Sequence, residues 1–188
     1  MGLDMYASRR LYVKQWEYQR PNERYKVQIE LAGKPVKGIR ESGISYVEEE
    51  VMCWHKANHI HAWFVDNVQR GQDDCKPYYV DEDQLEELLN VCHEVIGASK
   101  LVEGSVVARI VWNPMRETWA EQREPGRVIE NPAVAYDLLP RMEGLFFGGY
   151  EYDESYLHDV IRTQEWAERM VADTQSGVPG DIYYQSSW

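Results

Sequence analysis

Between Asp81 and Gly97 the sequence specifies a helix from cap to stop, and that segment constrains everything around it. Asp81 with Gln84 three residues on forms a capping box. Leu85, Leu88, Leu89, Cys92, Val95 and Ile96 recur at the spacing of one helical face, and Gly97 is a natural stop. Such a helix must lay its apolar face against another element. Strands are available for it. Tyr78-Tyr79-Val80 precedes the cap, and Ser105 to Trp112, a β-branched run interrupted only by Ala108 and Arg109, predicts a central strand ended by Asn113-Pro114.

Further strands are expected at Leu11-Tyr12-Val13, at Ile182 to Gln185, and at Gly144 to Tyr150 running into the Gly148-Gly149 turn. Ile44 to Val51 reads as a strand whose Glu48-Glu49-Glu50 end has to be exposed or at an edge. Tyr25, Val27, Ile29 and Leu31 alternate with polar residues and meet the turn Ala32 to Pro35, which predicts a β-hairpin over 24–40 with one face buried. Asp153 or Ser155 caps a helix carrying Leu157, Val160, Ile161, Ala167 and Val171 and stopping near Gly177. Residues 113–143 hold four prolines and no sustained period beyond a short helix near Thr118 to Gln122, so a long loop-rich segment is expected there. The sum is a single α+β domain over 1–188, a largely antiparallel sheet with about three helices packed on one face.

At 188 residues and 44% hydrophobic content the chain can build a core of its own. A formal net charge of -12 repels a phosphate backbone and disfavours general nucleic-acid binding. The three cysteines, Cys53, Cys75 and Cys92, lack CxxC spacing and read as reduced thiols. No apolar run approaches the length of a membrane span, and Met1 to Tyr6 lacks a signal-peptide core, so a soluble intracellular protein without a membrane partner is expected.

The stretch Trp54 to Asn67, WHKANHIHAWFVDN, concentrates three of the five histidines. Ala57, Ile60, Phe64 and Val68 form one stripe, which predicts an amphipathic helix over 54–68. His61 falls at its margin, His55, His59 and Asp66 on the polar side, and Trp63 is partly exposed. His55 and His59 share the four-residue spacing of two-histidine metal sites, but Asp66 lies about 10 Å further along the axis and cannot complete one. Asp73-Asp74-Cys75 reads as an acidic turn in which the carboxylates hinder rather than activate the thiol. The Walker, dinucleotide-binding, nucleophile-elbow and zinc-protease motifs do not occur, and no cofactor is implied. An exposed tryptophan beside Lys56 would suit a base and a phosphate. Acidic clusters at Glu48 to Glu50, Asp81 to Asp83 and Glu151 to Glu154 would suit a DNA mimic or a solvated face.

Met1-Gly2-Leu3-Asp4-Met5-Tyr6, the Trp54 to Phe64 block, Asp73-Asp74-Cys75 and Gly144 to Glu154 together resemble a family of small bacteriophage proteins beginning MGLDMY, sometimes labelled phosphoglycerate kinase. A bilobed kinase needs two domains and a nucleotide cleft, for which this chain has no room. The resemblance implies the cytoplasm of an infected bacterium and a counter-defence role, the sequestering of a nucleotide-like immune signal without chemistry. On that expectation Tyr6, Trp63 or Tyr150 stacks on the ligand, and Lys56 and Arg109 meet phosphates. Asn58, His61 and Asp74 read polar groups, and Trp54 and Phe147 complete the wall. A homo-oligomer is compatible with such a role. The alternatives are a small metal-dependent nucleotide hydrolase built on His55, His59 or Asp74, and an acidic inhibitor of a host protein.

Overall fold

In the computed structural model, residues 2–144 and 146–188 are described, with the side chain of Asn113 set aside. The elements run β1 (Asp4–Tyr12), β2 (Glu30–Leu31), β3 (Lys34–Pro35), β4 (Tyr46–His55), α1 (Asn58–Asn67), β5 (Tyr78–Val80), α2 (Glu82–Ala98), β6 (Leu101–Asn113), β7 (Thr118–Ile129), α3 (Ala133–Leu138), α4 (Glu154–Gln175) and β8 (Asp181–Ser187). The fold is α+β with antiparallel sheets and three long helices, α1, α2 and α4, as the sequence predicts.

The main sheet has the order β4-β1-β8-β5, every pairing antiparallel. Its inner face carries Leu3, Met5 and Ala7 of the first strand and its lead-in, Met52 and Trp54 of β4, Val80 of β5, and Ile182, Tyr184 and Ser186 of β8, all buried. The alternate residues, Tyr6, Ser8, Cys53, His55, Tyr79, Tyr183 and Gln185, are half-buried or exposed, so one face carries the core and the other meets solvent. Helix α4 lies against α2 and touches α1 and β4, tying the layers together. Trp54 anchors the centre: its ring packs edge-on to Trp166 at 5.2 Å, and its indole N–H donates to Thr163 Oγ1 at 2.8 Å. The capping box of Asp81 and Gln84 forms at the start of α2, and Asp153 caps α4. β4 is an edge strand, and Glu48 to Glu50 are exposed on it.

Several expectations are corrected. β1 starts at Asp4 instead of Leu11 and β4 runs to His55, so Trp54 and His55 close a strand before α1 starts at Asn58. The 24–40 hairpin forms, but with two residues per strand, and Tyr25, Ile29 and Leu31 are exposed, because among the described residues its strands pair only with each other. Ser105 to Trp112 belongs to β6, which is no central strand: among the described residues it pairs only with β7, in a separate two-stranded sheet. The expected loop and short helix within 113–143 are instead β7 and α3. A ribbon exposed on both faces needs no apolar alternation, so periodicity could not reveal it. Within Gly144 to Tyr150 the described residues are irregular backbone, and Leu145 lies outside them. Gly148 is required there: its φ is +114°, and a Cβ would sit 2.4 Å from the Lys56 carbonyl oxygen. Among the described residues, no helix is long and apolar enough to cross a membrane.

Candidate functional site

β1 runs antiparallel to both β4 and β8, so the start of β1 and the ends of β4 and β8 meet at one end of the sheet: Asp4 pairs with His55 on one side and Ser187 on the other. The 144–150 segment folds onto this end. Leu3 N–H donates to the Phe146 carbonyl at 3.4 Å, and a Cβ built on Gly2 would touch both Lys56 Cε and Phe146 Cβ, at 3.4 and 3.7 Å. A lysine stem and an aromatic side chain therefore converge over Gly2. Phe147 turns inward, 5.9 Å from the ring of Trp188 and 5.7 Å from that of His61. Phe146, Tyr150 and Trp188 remain 65%, 50% and 52% exposed; Phe146 adjoins the stem of the exposed Lys56 over Gly2, whereas Tyr150 bonds back to the Gly144 carbonyl and Trp188 meets Phe147 and Asp73.

Two polar clamps hold these loops. His61 is fully buried, and its Nε2 lies 3.1 Å from Asp73 Oδ2 and its Nδ1 2.7 Å from the Tyr184 hydroxyl. A carboxylate only accepts, so Nε2 carries the proton and Nδ1 accepts from Tyr184. Burial, and then Asp73 and Cys75, push the Tyr184 phenol well above its ordinary range, so it keeps the proton it donates. Asp73 also accepts from the Trp188 indole at 3.0 Å, and Gln185 donates to the Cys75 carbonyl.

The second clamp is Arg141. Its guanidinium donates to the Glu151 carbonyl at 2.7 Å, to His59 Nδ1 at 3.2 Å and to Asn58 Oδ1 at 3.4 Å, while lying over the Tyr156 ring. Asn58 in turn donates to the Gly149 carbonyl at 3.0 Å. Burial and the neighbouring Arg141 hold the His59 imidazole well below its usual pKa, so it is neutral inside the fold. Lys56, Cys75 and Phe146 all adopt left-handed φ values, 60°, 57° and 63°. Non-glycine residues rarely do so; Ala32, Arg70 and Glu117 share this conformation, so it marks tight turns in several parts of the chain.

The ten predicted residues divide. Lys56, Asn58, His61, Phe147 and Tyr150 come together at the sheet end, and Asp74 is close by on the 71–77 loop, held by Lys76 at 2.5 Å and Tyr78 at 3.1 Å. The Lys76 contact keeps the Asp74 carboxyl below the usual range. Trp54 and Trp63 are core residues, 0% and 6% exposed. Trp63 was expected outside and His59 on a polar face, but seven of the ten residues of α1 are buried, because the helix is enclosed on nearly every side. Tyr6 lies on the opposite face of the sheet, and Arg109 sits on the β6–β7 hairpin bonded to Gln122 at 2.5 Å. Neither shares the sheet-end site. His55 points from a strand and His59 from the interior, so the paired-ligand geometry does not form, and among the described residues no group of three His, Cys, Asp or Glu could hold a metal.

Sequence reasoning missed Arg141, Tyr184 and Trp188, and it included Asp73 and Phe146 only as the starts of the 73–79 loop and the 146–152 turn expected to line a pocket. Asp73 and Phe146 adjoin residues that were singled out, whereas Arg141 sits in a proline-rich stretch with no local signal. A cleft of about 670 Å³ opens elsewhere, between the foot of the β6–β7 hairpin and the start of α4, and none of the ten lines it. No family model, no curated protein and no solved structure matches the chain.

Proposed function

We propose that the protein binds and sequesters a small anionic, nucleotide-like molecule at the sheet end, without chemistry, as a counter-defence protein of the kind its sequence resembles. The observation that carries this reading is the convergence of the Lys56 stem with exposed Phe146 over Gly2, with exposed Tyr150 on the same loop as Phe146 and Trp188 following β8 at the same end of the sheet. An ammonium beside aromatic faces is the minimal apparatus for a phosphate and a base. The buried polar side chains beneath serve a different purpose: the His61 and Arg141 clamps fix the loops, so the platform is ordered before ligand arrives, which lowers the entropy cost of binding.

The test is a panel of linear and cyclic nucleotides and ADP-ribose-like compounds, with free ligand measured by equilibrium dialysis and bound ligand recovered after denaturation. Unaltered ligand is expected. Lys56→Ala should weaken binding by about tenfold or more, the worth of one charge-assisted contact, and Arg109→Ala should leave it unchanged. Turnover of the nucleotide, or equal effects of the two variants, would sink the reading.

A second reading, contact with a host protein, has its own observation. The distal part of the β6–β7 hairpin exposes Ile110 (57%), Trp112 (49%), Met115 (93%) and Trp119 (66%), an apolar tip on an acidic protein. Co-purification from host lysate that is lost in Trp112→Ser/Trp119→Ser while nucleotide binding is absent would favour it.

A further inference from the structure

The solvent-facing side of the main sheet carries a constellation that the ligand reading does not use. Register sets Asp4 opposite His55 and Tyr6 opposite Cys53, and all four side chains belong to the face away from the core. Asp4 Oδ1 lies 2.7 Å from His55 Nδ1, and His55 Nε2 lies 3.7 Å from Cys53 Sγ. Because a carboxylate can only accept, the proton on the ring belongs to Nδ1, which leaves the Nε2 lone pair facing the thiol. Thiol, imidazole and carboxylate thus stand in the order of nucleophile, base and orienting group.

The surroundings fit that order. Burial, then Glu50 and Asp4, push the Cys53 thiol up, so it stays protonated at neutral pH and a base has work to do only during attack. Burial, followed by Asp4, Cys53 and Glu50, also raises the Tyr6 phenol, which keeps it a hydrogen-bond donor beside the sulfur. From behind, Arg162 donates to the Cys53 carbonyl at 3.2 Å and steadies the strand. The His55 side chain is 70% exposed and Cys53 is partly so, which gives a small reagent access.

We propose that Cys53, with His55 as its base and Asp4 positioning His55, forms a nucleophilic site that accepts acyl groups from small uncharged esters. The site takes uncharged donors because Asp4 and Glu50 repel anionic ones. In the step, Sγ attacks the ester carbonyl carbon while the S–H proton passes to His55 Nε2. The carbon–oxygen bond to the leaving group breaks, and the departing alkoxide or phenoxide takes up that proton. Thiol and ester become thioester and alcohol, with no external oxidant or reductant.

The probe is p-nitrophenyl acetate applied to the full-length protein, read as nitrophenol release and as the acetylated residue by peptide mass spectrometry. One acetyl group on Cys53 is expected, formed faster than on Cys75, which is also partly exposed and serves as the internal reference. His55→Ala should slow Cys53 acylation by about 100-fold, the scale of general-base assistance, and added imidazole should restore it. Asp4→Asn should slow Cys53 and leave Cys75 unaffected. Cys53→Ser should lose the adduct with no rescue by imidazole. Acetylation of Cys53 no faster than Cys75, mapping of the acetyl group elsewhere, or an unchanged rate in His55→Ala overturns the proposal. All of these readouts are independent of nucleotide binding.

Discussion

In α1 the polar side chains are inside, with Asn58, His59 and His61 fully buried, whereas along the β6–β7 hairpin the apolar ones are outside, with Trp112 and Trp119 about half to two thirds exposed. The histidines look like chemistry in the sequence, yet both ring nitrogens of His61 are taken up by Tyr184 and Asp73, and His59 Nδ1 accepts from Arg141 while its Nε2 stays buried without a partner among the described residues. Buried polar groups have to be bonded, so a histidine-rich helix in a core implies partners before it implies a ligand. The hairpin shows the opposite logic. Its Trp112 and Trp119 pair edge to face at 5.4 Å across the strands, which suffices to hold a ribbon but leaves most of both rings in water. The internal region therefore fixes shape, and the external one offers surface.

The contrast is most sharply tested where a tryptophan is removed from each region. Trp54→Ala should destabilise the protein by about 3–5 kcal/mol in urea titrations, since it opens a cavity among Phe64, Trp166 and Tyr184. An effect below about 1 kcal/mol would mean the core is not organised around that ring. Arg141→Met should cost about 1–3 kcal/mol, because the Glu151 carbonyl and His59 Nδ1 lose their donor. It should also raise proteolysis within 142–152 more than elsewhere.

The buried His59 adds a pH test. Its folded-state pKa is depressed, so the unfolded chain binds the extra proton. Stability is full above the unfolded value of about 6.5 and falls as pH drops below it, by at most about 1.4 kcal/mol per pH unit. His59→Gln should flatten that part of the profile between about pH 6.5 and 5, and an unaltered slope would show that His59 is not neutral in the fold. The smallest effect is expected outside: Trp119→Ser should change global stability by no more than about 0.5 kcal/mol. A larger loss would mean that the hairpin belongs to the cooperative core after all.

Legibility in the sequence followed burial on one side only. The α2 stripe, the Asp81 cap, the short β5 strand, the edge position of β4 and the start of α4 were all readable, because an element half in water and half in the core writes its period into the chain. The two extremes were not. α1, buried almost all round, made Trp63 and His59 look solvent-facing, and β7, exposed almost all round, looked like a loop. Of the residues expected to bind a ligand, Lys56, Asn58, His61, Phe147 and Tyr150 lie at the sheet end. Their supports Arg141, Asp73 and Tyr184 lie 12 to 123 residues from the histidines they bond.

By itself the sequence determined an α+β chain and the caps and apolar stripes of its amphipathic elements, since each of these depends on neighbours a few residues apart, and its composition fixed the net charge of -12. Only the tertiary structure decided which aromatic rings became core and which became surface. The same step chose partners for His59 and His61, and it brought Asp4, Cys53 and His55 side by side on the open face of the sheet. Those outcomes depend on contacts between residues far apart in the chain, where the free energy of burial and of satisfied hydrogen bonds is set by the whole packing and not by any local pattern.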